Sequence, residues 1–501
     1  MDPEIKEVLK GIKGNRDFYP EDYAEIKVIF DAMHKVSKQF GYELYEGPIL
    51  EFAKLIEYKS GKDLADETYR LFDREERKLV LRPEMTPSLA RLISNQHQRY
   101  PKPLRWYSIP RVFRDETPQR GRVKEHFQFN ADIFGIDHPA ADAEIIALTT
   151  NIIKSAGLKT GEFVCVINSR ELLQKYIEFL GIPNYLDVIR ILDSKGKFIQ
   201  NSIEGELKEK GFSENEAKER AQKLRAIWQQ DINVNKAYPE IENDKVLSSY
   251  LPRLIELEET VVKQAMEEAN LNSDQITKLY TYSLLKGKPE DVVEELRKLE
   301  VNEDIKKAIN NLEELITYLE LFGIAEDCEF DMSIARGLDY YTGIVFEFLD
   351  RTGSVARAIA GGGRYDKLVE DLGGGKIPGT GIGMGETVLH SILNELERTP
   401  AYEHPSKIYV GMIPGDILPQ TAEIVNMLRK HFSVVFNPFG WKLGKQLEDA
   451  NNRSIPLMVI VGKRDLDENK VTVQDMKTGQ KQSVLISDLI NAIKEKLQLI
   501  F

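Results

Sequence analysis

The sequence predicts a mixed α/β (α+β) protein in which a helical segment interrupts a strand- and glycine-rich domain, and a small α/β domain follows a linker. Three observations predict it. Short β-rich runs and helical stretches alternate up to about residue 180, and glycine-rich, strand-like sequence returns at 323–398. Between them lies a charge-dense helical stretch whose last part repeats apolar residues at Ile305, Ala308, Ile309, Leu312, Leu315, Ile316 and Leu319, the spacing of one helical face. Beyond Glu397-Arg-Thr-Pro-Ala-Tyr-Glu-His-Pro405, strand-like Ile408–Ile413, helical 418–431 and strand-like 457–461 suggest a small α/β unit. The expected boundaries are 1–184 with 321–398 for the first domain, 185–320 for a helical insertion, 399–405 for a linker and 406–501 for the last domain. A chain of 501 residues is long enough for several units, each with its own core.

Composition narrows the class. Apolar content of 42% and charged content of 30% describe a soluble globular protein, and no apolar run approaches the roughly 18 residues of a membrane span. Met1-Asp-Pro-Glu-Ile-Lys6 has neither a basic nor an apolar leader region, so nothing marks export and the cytoplasm is the expected compartment. Cys165 and Cys328, both among apolar neighbours, read as small core residues and not as a disulfide framework or metal site. The net charge of −13 argues against a generic polyanion binder. The charge is uneven, however: residues 406–501 carry 13 Lys/Arg against 10 Asp/Glu, and the rest of the chain 55 against 71. The mildly basic C-terminal unit could touch nucleic acid locally.

Taken in chain order, the chemistry begins at Leu81-Arg-Pro-Glu-Met-Thr-Pro-Ser88. In an extended chain Arg82, Glu84 and Thr86 share one side. Thr86 before Pro87 reads as a helix N-cap followed by proline at the first helical position, with the helix running through Leu89, Leu92 and Ile93. A carboxylate and a hydroxyl at such a junction suit an ammonium ligand; a surface Arg–Glu pair beside a cap is the bland alternative. Next, Arg105–Phe134 reads as strand, loop, strand, with Pro118 and Gly121 in the turn. In the second strand Phe127, Phe129, Ala131 and Ile133 share one face and Gln128, Asn130 and Asp132 the other. A buried polar face is costly unless a ligand satisfies it. Arg114, Arg120, Arg122 and Lys124 gather cations around the loop, which suits a triphosphate, an RNA end, or a merely solvated basic hairpin.

Arg336-Gly-Leu-Asp-Tyr-Tyr-Thr-Gly343 places a cation, two phenols and two glycines before the strand-like run Ile344–Phe348, a mixture a surface strand does not need. Gly361-Gly-Gly-Arg-Tyr-Asp366 precedes an expected helix through Leu368, Val369 and Leu372. Glycines then recur at 379, 381, 383 and 385. As a strand, this segment would have one bare face against which a flat ring could lie; a flexible loop is the alternative. It is not a phosphate-binding P-loop, because no Gly-Lys-Ser/Thr follows.

These blocks resemble, in order and over most of the chain, the signature segments of class II histidyl-tRNA synthetases. Lys13-Gly-Asn-Arg-Asp17 with Pro20 is similar to the family's N-terminal motif, and Phe40–Pro48 to class motif 1, which builds a dimer interface. The hairpin around Arg114 and Glu116 resembles motif 2, Arg336–Gly343 and Gly361–Asp366 the two histidine-specific motifs, and Gly379–Leu389 occupies the place of motif 3. Residues 445–451, 459–465 and 471–476 are similar to the class IIa anticodon-binding domain. The resemblance implies an antiparallel-sheet catalytic domain, histidine activation with ATP and Mg²⁺, transfer to tRNA(His), a homodimer, and neither a tightly bound cofactor nor a protein-held metal. It implies Arg336 and Arg114 as the cations on the α-phosphate. Glu116, Arg122, His126, Gly383 and Gly385 would hold the rest of ATP. Glu84, Thr86 and Gln128 would hold the substrate ammonium, Asp132 and Tyr341 its imidazole, and Tyr340 and Tyr365 would close the pocket.

Three departures stand out. Thr387-Val388 occupies the place of the Glu-Arg of motif 3, His126 replaces the phenylalanine that stacks on adenine, and Asp132 is one methylene shorter than the usual glutamate. Plant-type and some bacterial members share such a motif 3, so these read as a subgroup trait. Two other readings are weighed. A catalytically inert regulatory paralogue would lack the C-terminal domain that 406–501 supplies. A class IIa synthetase for another amino acid would lack Arg336–Gly343 and Gly361–Asp366.

Overall fold

In the computed structural model, residues 3–59, 64, 66–117, 121, 123–230, 244–334, 340–355 and 357–500 are described. The chain separates into two compact units at Pro400/Ala401.

The first unit is built on a ten-stranded sheet. Its strands, in chain order, are β1 (Glu43–Leu44), β5 (Leu104–Ser108), β6 (Arg111–Phe113), β7 (Glu125–Phe134), β8 (Phe163–Ser169), β9 (Lys286–Gly287), β10 (Cys328–Asp331), β11 (Ile344–Asp350), β12 (Ala358–Arg364) and β13 (Gly379–Gly385). The spatial order is β1-β5-β7-β13-β12-β11-β8-β10-β9, with β6 pairing β7. The six central strands pair antiparallel throughout, as expected; only β1 on β5 and β10 on β8 run parallel. A separate sheet holds β2 (Leu50–Phe52), β3 (Arg70–Phe72) and β4 (Lys78–Leu81) in the order β2-β4-β3.

Burial follows the side-chain periods. One face of the large sheet carries Phe129, Ala131, Ile133, Cys165, Ile167, Phe346 and Phe348 into the main core. Helix Pro20–Gln39 adds Ile26, Ile29, Met33 and Val36 to that core, and helix Pro139–Ala156, buried along most of its length, sits within it. Cys165 and Cys328 are register partners on adjacent parallel strands, and both are free and buried.

Helix Glu303–Leu321 buries all seven residues of its apolar stripe, and they join the main core. So do the helices Ser273–Ser283 and Pro289–Arg297. Helix Tyr185–Glu209 places Val188, Ile189 and Leu192 in the main core, while its second half and helix Glu214–Gln230 close a satellite core around Ile203, Leu207, Ala221, Leu224 and Tyr250. The helical segment therefore has a small core of its own but is rooted in the large one.

The second unit is a five-stranded sheet of β14 (Ile408–Met412), β15 (Val434–Phe436), β16 (Leu457–Val461), β17 (Lys470–Asp475) and β18 (Lys481–Leu485), in the order β15-β14-β16-β17-β18. β14, β15 and β16 are parallel, and β17 and β18 antiparallel. The helices Leu418–Arg429 and Leu489–Ile500 cover one face, while helix Leu443–Asn452 covers the other.

Candidate active site

The second face of the large sheet is polar at its centre. On β7, Gln128, Asn130 and Asp132 are all buried, as the alternation predicts. Their register partners on β13 are Gly385, Gly383 and Gly381, so a glycine lies directly across from every polar side chain. The next strand continues the clearing, with Gly361 opposite Gly383 and Gly363 opposite Gly381. No larger residue fits there: a Cβ at Gly381 would stand 2.0 Å from Asp132 Oδ1, and one at Gly363 would stand 2.7 Å from the Ile344 carbonyl oxygen. The bare strand face expected from the glycine spacing is thus a groove floor beside a polar stripe.

Asp132 is the focus of that stripe. Its Oδ1 accepts a hydrogen bond from the Tyr365 hydroxyl, while its buried Oδ2 has no partner among the described residues. Burial pushes its pKa up to about 7; the Tyr365 hydroxyl opposes the rise and the charge of Glu84 adds to it. Tyr340 donates to Glu84 Oε2 at 3.1 Å. The rings of Tyr340, Tyr341 and Tyr365 pack against one another, with centroids 4.9, 5.8 and 6.4 Å apart. Buried Thr86 hydrogen-bonds the Tyr340 hydroxyl. The residues expected around the imidazole and ammonium are therefore gathered from four separate stretches of chain. Gln128 lies further along β7, where its Nε2 donates to Asn130 Oδ1 at 3.0 Å. A Cβ at Gly385 would stand 3.3 Å from His126 Cδ2, so that ring flanks the end of the glycine floor.

Arg114 is partly buried, and its Nε donates to the Pro83 carbonyl oxygen at 3.1 Å, which brings it beside Glu84. Glu116 follows two residues later on the same loop. Gly121 takes a φ of +74°, the left-handed conformation expected of a turn glycine. Arg336, Arg120, Arg122 and Pro118 lie outside the described residues.

Two expectations at residues 81–88 need correction. The helix spans Thr86–Gln96 with Met85 at the cap position, and no side chain caps it; Thr86 already lies in the first turn and turns its hydroxyl to Tyr340. β4 ends at Leu81, so strand alternation does not carry Arg82 to the side of Glu84. Arg82 is instead only 2% exposed and donates to Glu46 at 2.8 Å, to the Gly47 carbonyl at 2.7 Å and to the Arg111 carbonyl at 3.0 Å. A surface Arg–Glu pair is not what forms there.

The profile described as "Histidyl-tRNA synthetase" matches residues 14–198 and 243–387. The chain belongs to the histidyl-tRNA synthetase family. A second profile, described as "Anticodon binding domain", matches 407–496. Among curated relatives, "Histidine--tRNA ligase" of Pyrococcus horikoshii is 31% identical over 98% of this chain and 100% of its own length. That of Thermoplasma volcanium is 33% identical over 96% and 97%. The fold is shared with the crystal structure of histidyl-tRNA synthetase from Nostoc sp. PCC 7120, at a TM-score of 0.70 and 23% identity, covering 97% of this chain and 98% of that one.

Against the histidyl-tRNA synthetase pattern, the place of motif 3 is occupied in a different way. Glu386, whose side chain is fully buried, forms an ion pair with Arg16 of the N-terminal segment, and Arg16 Nη2 also donates to Thr387 Oγ1 at 3.3 Å. Val388 is buried and packs toward Gly121. The guanidinium at this place thus comes from 370 positions earlier in the chain.

Two further features escaped sequence reasoning. Arg364 of the Gly361–Asp366 block is 7% exposed and donates to Asp142 Oδ2 at 2.7 and 3.0 Å, to the carbonyls of Ile136 and His138, and to Asp366. A Cβ at Gly343 would stand 2.8 Å from its side chain, so Arg364 pins the end of the Arg336–Gly343 block against the start of helix Pro139–Ala156. The second is Tyr45, whose buried hydroxyl lacks a partner among the described residues and feels the charge of Asp132. The strand alternation of β7 pointed to Asp132, but no local pattern points from Tyr45 to it.

Proposed function

We propose that this chain activates L-histidine with ATP to histidyl-adenylate and transfers the histidine to the 3′ end of tRNA(His), releasing pyrophosphate and AMP. The observation that carries the reading is the buried carboxyl of Asp132, with one oxygen open, beside the Tyr340–Glu84 pair on a floor cleared by alternate glycines. An imidazole has two nitrogens that need different partners, and a carboxylate with a phenol supplies them. Asp132 and Tyr341 take those roles, Glu84, Thr86 and Gln128 take the ammonium, and Tyr340 and Tyr365 wall the pocket.

The substrate carboxylate is ionised near neutral pH, so attack on the α-phosphorus needs no general base. What the site supplies is alignment and charge neutralisation at phosphorus. Arg114 and Arg336 meet the α-phosphate, Glu116 and Arg122 orient the adenosine and outer phosphates, and His126 stacks on the base along the edge formed by Gly383 and Gly385. In this reading Mg²⁺ would enter with the nucleotide substrate and would help to neutralise its phosphate charge. ATP–pyrophosphate exchange tested with each amino acid should proceed with histidine alone. Folded protein that gives no exchange with histidine would end this reading.

Residues 1–184 with 321–398 form the catalytic domain in this reading, 185–320 its insertion, and 406–501 the tRNA-reading domain. Among the described residues no helix is long and apolar enough to cross a membrane, and we place the protein in the cytoplasm. The small sheet supports a homodimer. Leu50, Phe52 and Leu71 share one face by register and are 47%, 51% and 40% exposed, an apolar surface that a second copy would cover. Phe52→Glu should convert a dimer to a monomer in light scattering; an unchanged mass would place the interface elsewhere.

A further inference from the structure

The segment Lys13-Gly-Asn-Arg-Asp17 takes no part in the chemistry proposed above, yet it lies against the nucleotide end of the site. That end is made by two neighbouring strands. Gly385 of β13 stands opposite Gln128 of β7, and a Cβ on Gly385 would come 3.3 Å from the His126 ring.

The N-terminal segment is fastened to both strands. Just before β7, the Lys124 amide donates to the Gly14 carbonyl oxygen at 2.9 Å. Phe18 packs on Phe127 of β7 with ring centroids 6.3 Å apart, and Phe127 packs edge-on against Phe30 of helix Pro20–Gln39 at 4.9 Å. On the other side, Glu386 directly follows β13 and opens helix Glu386–Glu395. Its fully buried carboxylate pairs with the Arg16 guanidinium, which also donates to Thr387 Oγ1 at 3.3 Å. The same guanidinium stands over the Phe18 ring, 4.9 Å from its centroid. A planar cation held at its edge by a carboxylate and at its face by a ring has little freedom to swing.

A carboxylate buried at a strand end is costly without a cation. Burial pushes the Glu386 carboxyl upward, and the charge of Arg16 opposes the rise. The pair sits one residue from Gly385, so residues 14–18 brace β7 and β13 where His126 and Gly385 meet. A guanidinium already neutralised by a touching carboxylate has little to offer a phosphate. Its contribution here is geometric.

We propose that Arg16, acting through Glu386, is a positioning residue for the nucleobase of ATP: the pair fixes the end of β13 so that Gly383 and Gly385 stay aligned with His126. Thr387-Val388 supplies no arginine at the motif 3 place, and the ordering of this strand end falls to the N-terminal segment. The inference rests on the proposed function, in which His126 stacks on the base.

The test uses the full chain in histidine-dependent ATP–pyrophosphate exchange, with adenosine as a competing ligand that carries no phosphate. Arg16→Gln and Glu386→Gln should each raise the KM for ATP and the inhibition constant of adenosine by about ten-fold. The KM values for histidine and pyrophosphate should stay within about two-fold of the parent. The double variant should cost no more than either single one, because the two side chains act as a unit. Arg16→Lys, which keeps a cation on Glu386, should recover most of the loss. Glu386→Gln is isosteric and strands no buried charge, so it reports even if Arg16→Gln, which leaves Glu386 uncompensated, fails to fold. Unchanged ATP and adenosine constants in Glu386→Gln would overturn the inference. So would a pyrophosphate KM rising in step with that of ATP, which would put Arg16 on the outer phosphates. A parallel rise for histidine with a lowered unfolding midpoint would overturn it too, as the mark of general loosening. Exchange by the parent chain decides the proposed function. Calorimetric binding of adenosine to the parent and to Glu386→Gln decides the positioning role without histidine.

Discussion

Arg336→Ala is expected to slow histidine-dependent ATP–pyrophosphate exchange by about 10²–10³-fold or more, with the unfolding midpoint unchanged. The reasoning starts from charge. The transition state gathers negative charge on a pentavalent phosphorus, and attack by an already ionised carboxylate needs no general base, so the leverage of the site is in fixed cations. At the place of motif 3, where the family's arginine would stand, this chain has buried Val388, and the nearby guanidinium of Arg16 is already committed to Glu386. The mechanism proposed above therefore assigns the α-phosphate to Arg114, whose Nε donates to the Pro83 carbonyl oxygen, and to Arg336. A group acting only in the transition state lowers kcat and kcat/KM together, whereas one that merely binds ATP raises KM. Arg336→Ala should do the former. Near-normal exchange would remove Arg336 from the mechanism.

Asp132→Asn should have two opposite effects. The isosteric amide cannot accept a charge-assisted hydrogen bond from the imidazole, and kcat/KM for histidine should fall by roughly 10²-fold. Stability should move the other way. The folded carboxyl titrates near 7, above its ordinary value of about 3.9, because burial disfavours its charge. The native state therefore holds a proton that the unfolded chain gives up, and stability falls as pH rises from about 4 to about 7, a loss that persists above that. The full difference is up to about 4 kcal/mol. The variant, neutral throughout, should be more stable than the parent at pH 8 and equal to it at pH 4, read by urea unfolding at the two values. Equal stability at both would mean that the buried charge is not a cost. Tyr365→Phe gives a finer check. The Tyr365 hydroxyl favours the charged carboxylate, so its loss should move the pH midpoint of the histidine KM upward, while the ligand's own titration is common to both proteins.

How far the site could be read from the chain depends on the range over which each feature is set. The Gln128–Asn130–Asp132 stripe and the glycines of 379–385 were legible because strand alternation is covalent geometry, and the structure places the two stripes opposite one another. The stripe from Ile305 to Leu319 was legible for the same reason at helical period. Reading an extended chain past Leu81 misplaced Arg82, because strand pairing ends there and the guanidinium turns to Glu46 and the Gly47 carbonyl instead. The cap assigned to Thr86 failed by one position, since Tyr340, distant in sequence, claims its hydroxyl.

By itself the sequence determined the alternation of faces, the every-second-residue spacing of glycines at 379–385, and a set of motifs sufficient to mark the family. Only the tertiary structure decided which of those residues meet. It brought Tyr365 onto Asp132, Tyr340 onto Glu84, Arg364 onto Asp142 and Arg16 onto Glu386, across separations of 233, 256, 222 and 370 positions. The physical reason is that a period of two or 3.6 residues is imposed by bonded neighbours, whereas a buried pair depends on how the whole chain closes, and on which polar groups burial leaves in need of a partner.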